Sequence, residues 1–146
     1  MKAMILAAGL GTRLKPFTDA HPKALAMVNG KSLLQRNIEY LQDYGIYEVV
    51  VNVHHFADQI VDAIEKNNGW GSNVTISDES DEVLETGGGL LRAKAYFENE
   101  AKWLVMNADI LTDLDLGKMM EADNAFDALS EGEMVATLAV TNRSTS

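Results

Sequence analysis

The sequence predicts an α/β domain: a mainly parallel, twisted sheet with helices on both faces. Three observations lead there. Apolar runs of strand length, at 3–8, 48–53 and 103–106, are close to continuous, as in strands buried on both faces. Segments between them carry apolar residues at helical spacing. Turn signals, among them Asn29-Gly30 and Asn67-Asn68-Gly69, separate the two kinds of segment.

In chain order, residues 2–8 are the first strand. The loop 9–23 follows and holds both prolines of the chain, Pro16 and Pro22, which stiffen it. Residues 24–28 are a short apolar piece closed by Asn29-Gly30. Ser32 is placed to cap a helix running to Tyr44, with Leu33, Leu34, Ile38 and Leu41 on one face and Gly45 at its end. Glu48 to Val53 is the second strand. A helix over 57–67 turns Ile60, Val61 and Ile64 inward, and Val74 to Ser77 is the third strand. Asp78, Glu79, Asp81 and Glu82 read as a solvated acidic loop. Leu84-Glu85-Thr86-Gly87-Gly88-Gly89 leads into a helix to Phe97. Trp103 to Met106 is a fourth buried strand, ending at Asn107-Ala108-Asp109. Leu114 to Leu129 reads as a helix whose start is capped and charged by Asp113 and Asp115. Glu133 to Thr141 is the last strand. Trp70 and Trp103 read as packing residues. No repeat, low-complexity tract or linker interrupts residues 1–146, which read as one domain.

Composition narrows the classes of function. A chain of 146 residues is long enough for a sizeable core, and 47% hydrophobic with 23% charged residues is ordinary for a globular protein. The formal net charge is −10, and no basic stripe runs along the chain, which argues against nucleic acid as a partner. The chain has no cysteine, hence no disulfide framework and no thiolate metal site, in keeping with a reducing cytoplasm. The opening apolar run is too short for a secretory signal, and Arg13 and Lys15 follow it directly. No apolar stretch approaches membrane-spanning length, so no membrane partner is expected.

The chemistry concentrates just after the first strand. Gly9 and Gly11 let backbone N–H groups approach a ligand, and successive N–H groups in such a turn form an anion-binding concavity. Arg13, Lys15 and Lys23 add cations, and arginine can grip phosphate oxygens with two bonds. A small-residue loop with cations after a buried strand suits a polyphosphate. No Walker A pattern is present, and the dinucleotide fingerprint fails because Leu14 stands where its third glycine would be. Asp109, directly after the fourth strand, is placed either to hold Mg²⁺ with substrate phosphates or to cap the following helix. His54 and His55 are adjacent, so they point oppositely on a strand and read as exposed or hydrogen-bonded side chains, with His21 apart in the loop.

Ala7-Ala8-Gly9-Leu10-Gly11-Thr12-Arg13, followed by Pro22-Lys23, resembles the signature of the sugar-1-phosphate nucleotidyltransferases, and the resemblance runs over the whole chain. It implies a Rossmann-like nucleotidyltransferase fold and transfer of a nucleoside monophosphate from a triphosphate to a sugar 1-phosphate, with release of pyrophosphate. It implies that Ala8, Gly9, Gly11, Thr12, Arg13 and Lys23 meet the nucleotide, with Arg13 and Lys23 catalytic. Glu85, Gly87 and Gly88 would receive base and ribose, Asn107 the sugar or ribose, and Asp109 the Mg²⁺. Ala108 departs from the glycine that the family often has between these last two.

Glu85-Thr86-Gly87-Gly88-Gly89 stands where most of the family has Leu-Gly-Thr-Ala. This form resembles the N-acetylmuramate-1-phosphate uridylyltransferases of cell-wall recycling, and related mannose-1-phosphate guanylyltransferase-like proteins share much of it. The preferred substrates are therefore UTP and N-acetylmuramate 1-phosphate. The alternatives are GTP with mannose 1-phosphate, and dTTP or UTP with glucose 1-phosphate. A nucleotide-binding regulatory module without catalysis is the rival of another class. The family's catalytic domains continue past the equivalent of Ser146, so a second metal aspartate and much of the sugar pocket are expected beyond it.

Overall fold

The computed structural model describes residues 1–81, 84–129 and 135–140. The chain divides into two compact units, Met1–Leu111 and Thr112–Ser146. In chain order the first unit contains β1 (Ala3–Leu6), the short pair β2 (Met27–Val28) and β3 (Lys31–Ser32), α1 (Leu33–Asp43), β4 (Glu48–Val53), α2 (Ala57–Lys66), β5 (Asn73–Asp78), α3 (Thr86–Ala93) and β6 (Leu104–Asn107). Four strands form one sheet in the order β5-β4-β1-β6, with every pairing parallel.

That order decides where a ligand can sit. The chain winds outward from β1 through β4 to β5, then returns to the other side of β1 to lay down β6. The winding reverses between β1 and β6, and parallel sheets bind ligands outside the carboxyl ends of the strands at such a point. Met4 and Val50 on one face of the sheet pack with Ala93 and Phe97 of the α3 region, and Phe97 stacks on Trp103 with ring centroids 4.1 Å apart. Ala3, Ile5, Val49 and Val51 alternate onto the opposite face and are buried too. The inward residues Leu34, Ile38 and Leu41 of α1 and Ile60 and Ile64 of α2 are likewise buried.

Local signals act as their chemistry dictates. Asn29 and Gly30 both have positive φ, 47° and 78°, which is what a two-residue hairpin turn between β2 and β3 requires. The Ser32 hydroxyl accepts from the Gln35 N–H at 3.1 Å and caps α1, a contact typically contributing about 1 kcal/mol.

Several sequence expectations are corrected. The helix expected up to Phe97 ends at Ala93 and continues as a 3₁₀ turn over Lys94–Phe97. The composition of β6 predicts a buried strand, but Val105 is exposed; among the described residues β6 pairs with β1 alone, so its outer side has no neighbouring strand. Glu79, which its acidic run places in solvent, is fully buried, whereas its neighbours Asp78 and Asp81 are exposed.

In the second unit α4 (Leu116–Leu129) is capped by Asp115, whose Oδ1 accepts from the Lys118 N–H at 3.1 Å. The strand expected over 133–141 does not form in its described part: residues 135–140 carry no strand, and Val135, Leu138 and Val140 are exposed. An apolar run rich in strand-forming residues makes a strand only when a ladder partner is present. Residues 133, 134 and 141 lie outside the described ones. Among the described residues, no helix is long and apolar enough to cross a membrane.

Candidate active site

At the end of β1 the chain runs across the carboxyl edge of the sheet and enters a 3₁₀ turn at Thr12. A cavity of about 450 Å³ opens there, floored by the stretch from Leu6 to Thr12. It brings together Ala8, Gly9, Gly11, Thr12, Lys23, Glu85, Asn107 and Asp109, which the sequence places on four separate stretches. Gly87 and Gly88 stand in the first turn of α3 and are not on the lining; a Cβ on Gly88 would lie 3.2 Å from Leu84 Cβ. Arg13 belongs to the 3₁₀ turn Thr12–Leu14, and its side chain lies outside the described residues.

The two glycines of the first loop have different reasons. Gly11 has φ +64°, and a Cβ there would stand 2.8 Å from Thr18 Cγ2 and 3.2 Å from Lys23 Cβ. The loop therefore passes directly beside Lys23, and the buried Thr18 hydroxyl, donating to the Gly11 carbonyl at 2.9 Å, holds it there. Around a Cβ on Gly9, its chain neighbours aside, no atom of the described residues lies within 4 Å, so these residues leave the space there open.

Lys23 opens a 3₁₀ turn after the extended Pro22. Its ammonium donates to Asp109 Oδ2, and the two side chains are 25% and 30% exposed. A cation and an anion thus meet on the cavity wall beside the glycine loop. A single carboxylate with room for phosphate oxygens and water suits Mg²⁺, which takes one or two protein carboxylates and completes its shell from substrate phosphates. Among the described residues, no group of three or more His, Asp or Glu side chains could hold a metal. His54 Nδ1 lies 2.7 Å from the Glu79 carbonyl oxygen, and His21 Nδ1 lies 3.1 Å from Gln59 Oε1.

Behind the cavity runs a row of buried polar contacts. Asn52 Oδ1 accepts from the Ala7 N–H at 2.7 Å, and Asn52 Nδ2 donates to Glu79 Oε1 at 2.9 Å. The Ala108 N–H donates to the Leu6 carbonyl at 3.0 Å, while Asn37 Nδ2 donates to the Ala108 carbonyl at 2.8 Å. The sequence reading does not single out Asn37, Asn52 or Glu79 as site residues. Two of them carry a legible signal: Asn52 interrupts an apolar strand and Asn37 sits on the apolar face of α1, and a buried amide must have partners.

A model of the nucleotidyl transferase family matches residues 2–145. The chain belongs to that family. It is 42% identical over 115 residues to the N-acetylmuramate alpha-1-phosphate uridylyltransferase of Neisseria meningitidis serogroup B, which covers 79% of this chain and 49% of that one. It is 37% identical over 119 residues to the D-glycero-alpha-D-manno-heptose 1-phosphate guanylyltransferase of Campylobacter jejuni, covering 82% of this chain and 52% of that one. Among solved structures, HddC from Yersinia pseudotuberculosis complexed with GMP-PN superposes with a TM-score of 0.75 at 38% identity, over 84% of this chain and 53% of that one. The chain spans about half the length of these relatives. The fold is the Rossmann-like fold of the family, and Ala7 to Thr12 of the family-like stretch line the cavity.

Proposed function

We propose that residues 1–146 carry the nucleotide-binding part of a sugar-1-phosphate nucleotidyltransferase. The observation that carries the reading is the Lys23–Asp109 pair facing a glycine loop, in a cavity at the point where the sheet reverses its winding. In the reaction a phosphate oxygen of the sugar 1-phosphate bonds to the α-phosphorus of the triphosphate. The bond from that phosphorus to the bridging oxygen breaks, and its electron pair leaves with pyrophosphate. Such transfers ask mainly for positioning and charge stabilisation. The loop from Ala8 to Thr12 offers backbone N–H groups to the phosphates, and Lys23 and Arg13 offset the charge that builds up on them. Glu85, on the cavity lining, would meet the base and ribose, with Gly87 and Gly88 behind it in the first turn of α3, and Asn107 would meet the sugar or the ribose. Asp109 is the ligand for Mg²⁺, which would neutralise phosphate charge when bound.

UTP and N-acetylmuramate 1-phosphate are the preferred substrates, which would place the enzyme in cytoplasmic cell-wall recycling. The preference is supported by Glu85-Thr86-Gly87-Gly88-Gly89 and by relatives at 42% and 44% identity that bear that specificity in their names. A guanylyl-transferring reading is favoured by the likeness to HddC with GMP-PN. Pyrophosphate release across four nucleoside triphosphates and several sugar 1-phosphates decides between them. Release with UTP and N-acetylmuramate 1-phosphate is expected. Release with GTP and a mannose or heptose 1-phosphate overturns the substrate reading alone. Nucleotide binding by the full-length protein without release from any pair points to a regulatory module.

A further inference from the structure

Glu79 is fully buried, yet among the described residues only one of its carboxyl oxygens is bonded. Oε1 accepts from Asn52; among the described residues, Oε2 has no hydrogen-bond partner. A buried acid with an unpaired oxygen is costly, and a residue that lowers stability in this way is often retained for a site. Glu79 does not line the cavity, but Asn52 does. The backbone of Glu79 is fixed: its N–H donates to the Val53 carbonyl at 2.8 Å, and its carbonyl meets His54 Nδ1.

The contacts of Asn52 lead straight to the glycine loop. The Ala7 N–H that Asn52 accepts from and the Leu6 carbonyl that accepts from Ala108 belong to one peptide unit. That unit is the last before the loop, and it is gripped at both ends. On its other side Glu79 presses on α3: a Cβ on the buried Gly89 would lie 2.9 Å from Glu79 Oε1 and 3.1 Å from Asn52 Nδ2.

The geometry points to Glu79 as a positioning residue for this site. Acting through Asn52, it sets where the chain leaves β1; through Gly89, it sets how closely α3 approaches. A carboxyl group offers Asn52 an acceptor whichever way it is turned. Asn52 therefore keeps its amide nitrogen toward Glu79 and its oxygen toward Ala7. The effect on ligand rests on reading the cavity as a nucleotide site, whereas the hold on Ala7 does not.

The test uses the full-length protein, Asn52→Asp, and the double variant Asn52→Asp/Glu79→Gln. Two quantities are read: amide hydrogen exchange at Ala7, and UTP affinity with Mg²⁺ by calorimetry. Asn52→Asp sets acceptor against acceptor, so exchange at Ala7 should quicken and UTP bind more weakly, each roughly tenfold, the scale of one lost hydrogen bond. In the double variant the new amide at position 79 donates to the new carboxylate at position 52, which still accepts from the Ala7 N–H. Both quantities should then return to within about threefold of the parent. Gly89→Ala pushes on the pair from the other side while raising helix propensity, so it serves if Asn52→Asp fails to fold. It should quicken Ala7 exchange too. Unchanged Ala7 exchange in the folded variants, or a double variant no better than Asn52→Asp, overturns the proposal. A lower melting temperature with unchanged exchange and affinity does so as well, since packing alone would explain it. A parent that binds neither UTP nor GTP, with Ala7 exchange still following the cycle, upholds the positioning pair and removes the nucleotide reading.

Discussion

Lys23 and Asp109 neutralise each other in this structure, so a triphosphate that draws Lys23 toward its own oxygens competes with Asp109 for that charge. Asp109→Asn removes that restraint. With the side chains 25% and 30% exposed, solvent screens the pair, and about 1 kcal/mol is a fair upper value for what it contributes. Since 1.4 kcal/mol is a factor of ten, release of Lys23 corresponds to roughly fivefold tighter binding. Loss of a negative charge beside the phosphates acts in the same direction. In metal-free buffer with chelator, the Asp109→Asn protein should therefore bind UTP about fivefold more tightly than the parent. In Mg²⁺ the order should reverse, because the parent gains the ion and the variant has lost its ligand. Calorimetric titration under the two conditions, with a melting curve to show that the fold is intact, measures both. Equal or weaker metal-free binding by the variant would refute the claim that Asp109 restrains Lys23. An early-melting variant that keeps its Mg²⁺-dependent turnover would make Asp109 a structural residue.

Three further outcomes are expected. Lys23→Ala should lower turnover by at least ~100-fold, the scale of one preorganised charge stabiliser, and Arg13→Ala should lower turnover more than nucleotide affinity; steady-state kinetics beside direct binding separates the two effects. Gly11→Ala should cost about 1–3 kcal/mol of stability, read from chemical denaturation, because its φ is +64° and the new methyl would meet Thr18. Hydrogen bonds from the Ser80 hydroxyl and then the Ser80 N–H hold the Asp78 carboxyl below the usual carboxylate range, so the turn gains stability above that range and loses it as pH falls through the depressed value. An NMR titration of Asp78 should show the value rise toward normal in Ser80→Ala.

The fold was legible wherever one segment settled its own structure. Ser32, Asn29-Gly30 and Gly45 mark their boundaries by local chemistry, and Gly11 marks a tight turn after β1, where its φ is +64°. What depended on distant partners was less legible. β6 has the composition of a central strand, yet among the described residues it is paired on one side only; the run over 133–141 is apolar and rich in strand-forming residues, yet its described part joins no ladder. Glu79 stands in an acidic run where nothing local separates it from Asp78 or Asp81. Only the parallel register, which sets Val53 opposite Asp78, brings Glu79 behind Asn52.

The buried contacts also explain how a loop of small residues can hold a defined shape. Glycine supplies no side chain and alanine only a methyl group, so neither can fix a backbone by hydrogen bonding. The fixing comes from below, through a row that follows the sheet: Glu79 beyond β5, Asn52 on β4, the Leu6-Ala7 peptide at the end of β1, and Ala108 beyond β6, anchored by Asn37 of α1. The order of that row is the spatial order of the strands. The ion pair on the cavity wall, Lys23 and Asp109, lies outside it. Shape and charge at the site thus rest on different residues. Substitutions in the row should shift the loop with the ion pair intact, and substitutions in the pair should change phosphate binding with Ala7 still held. Sites without shared partners usually add in free energy. Asp109 adjoins Ala108 in the chain, so the place where the two sets should fail to add is the turn 107–109, the one segment that serves both.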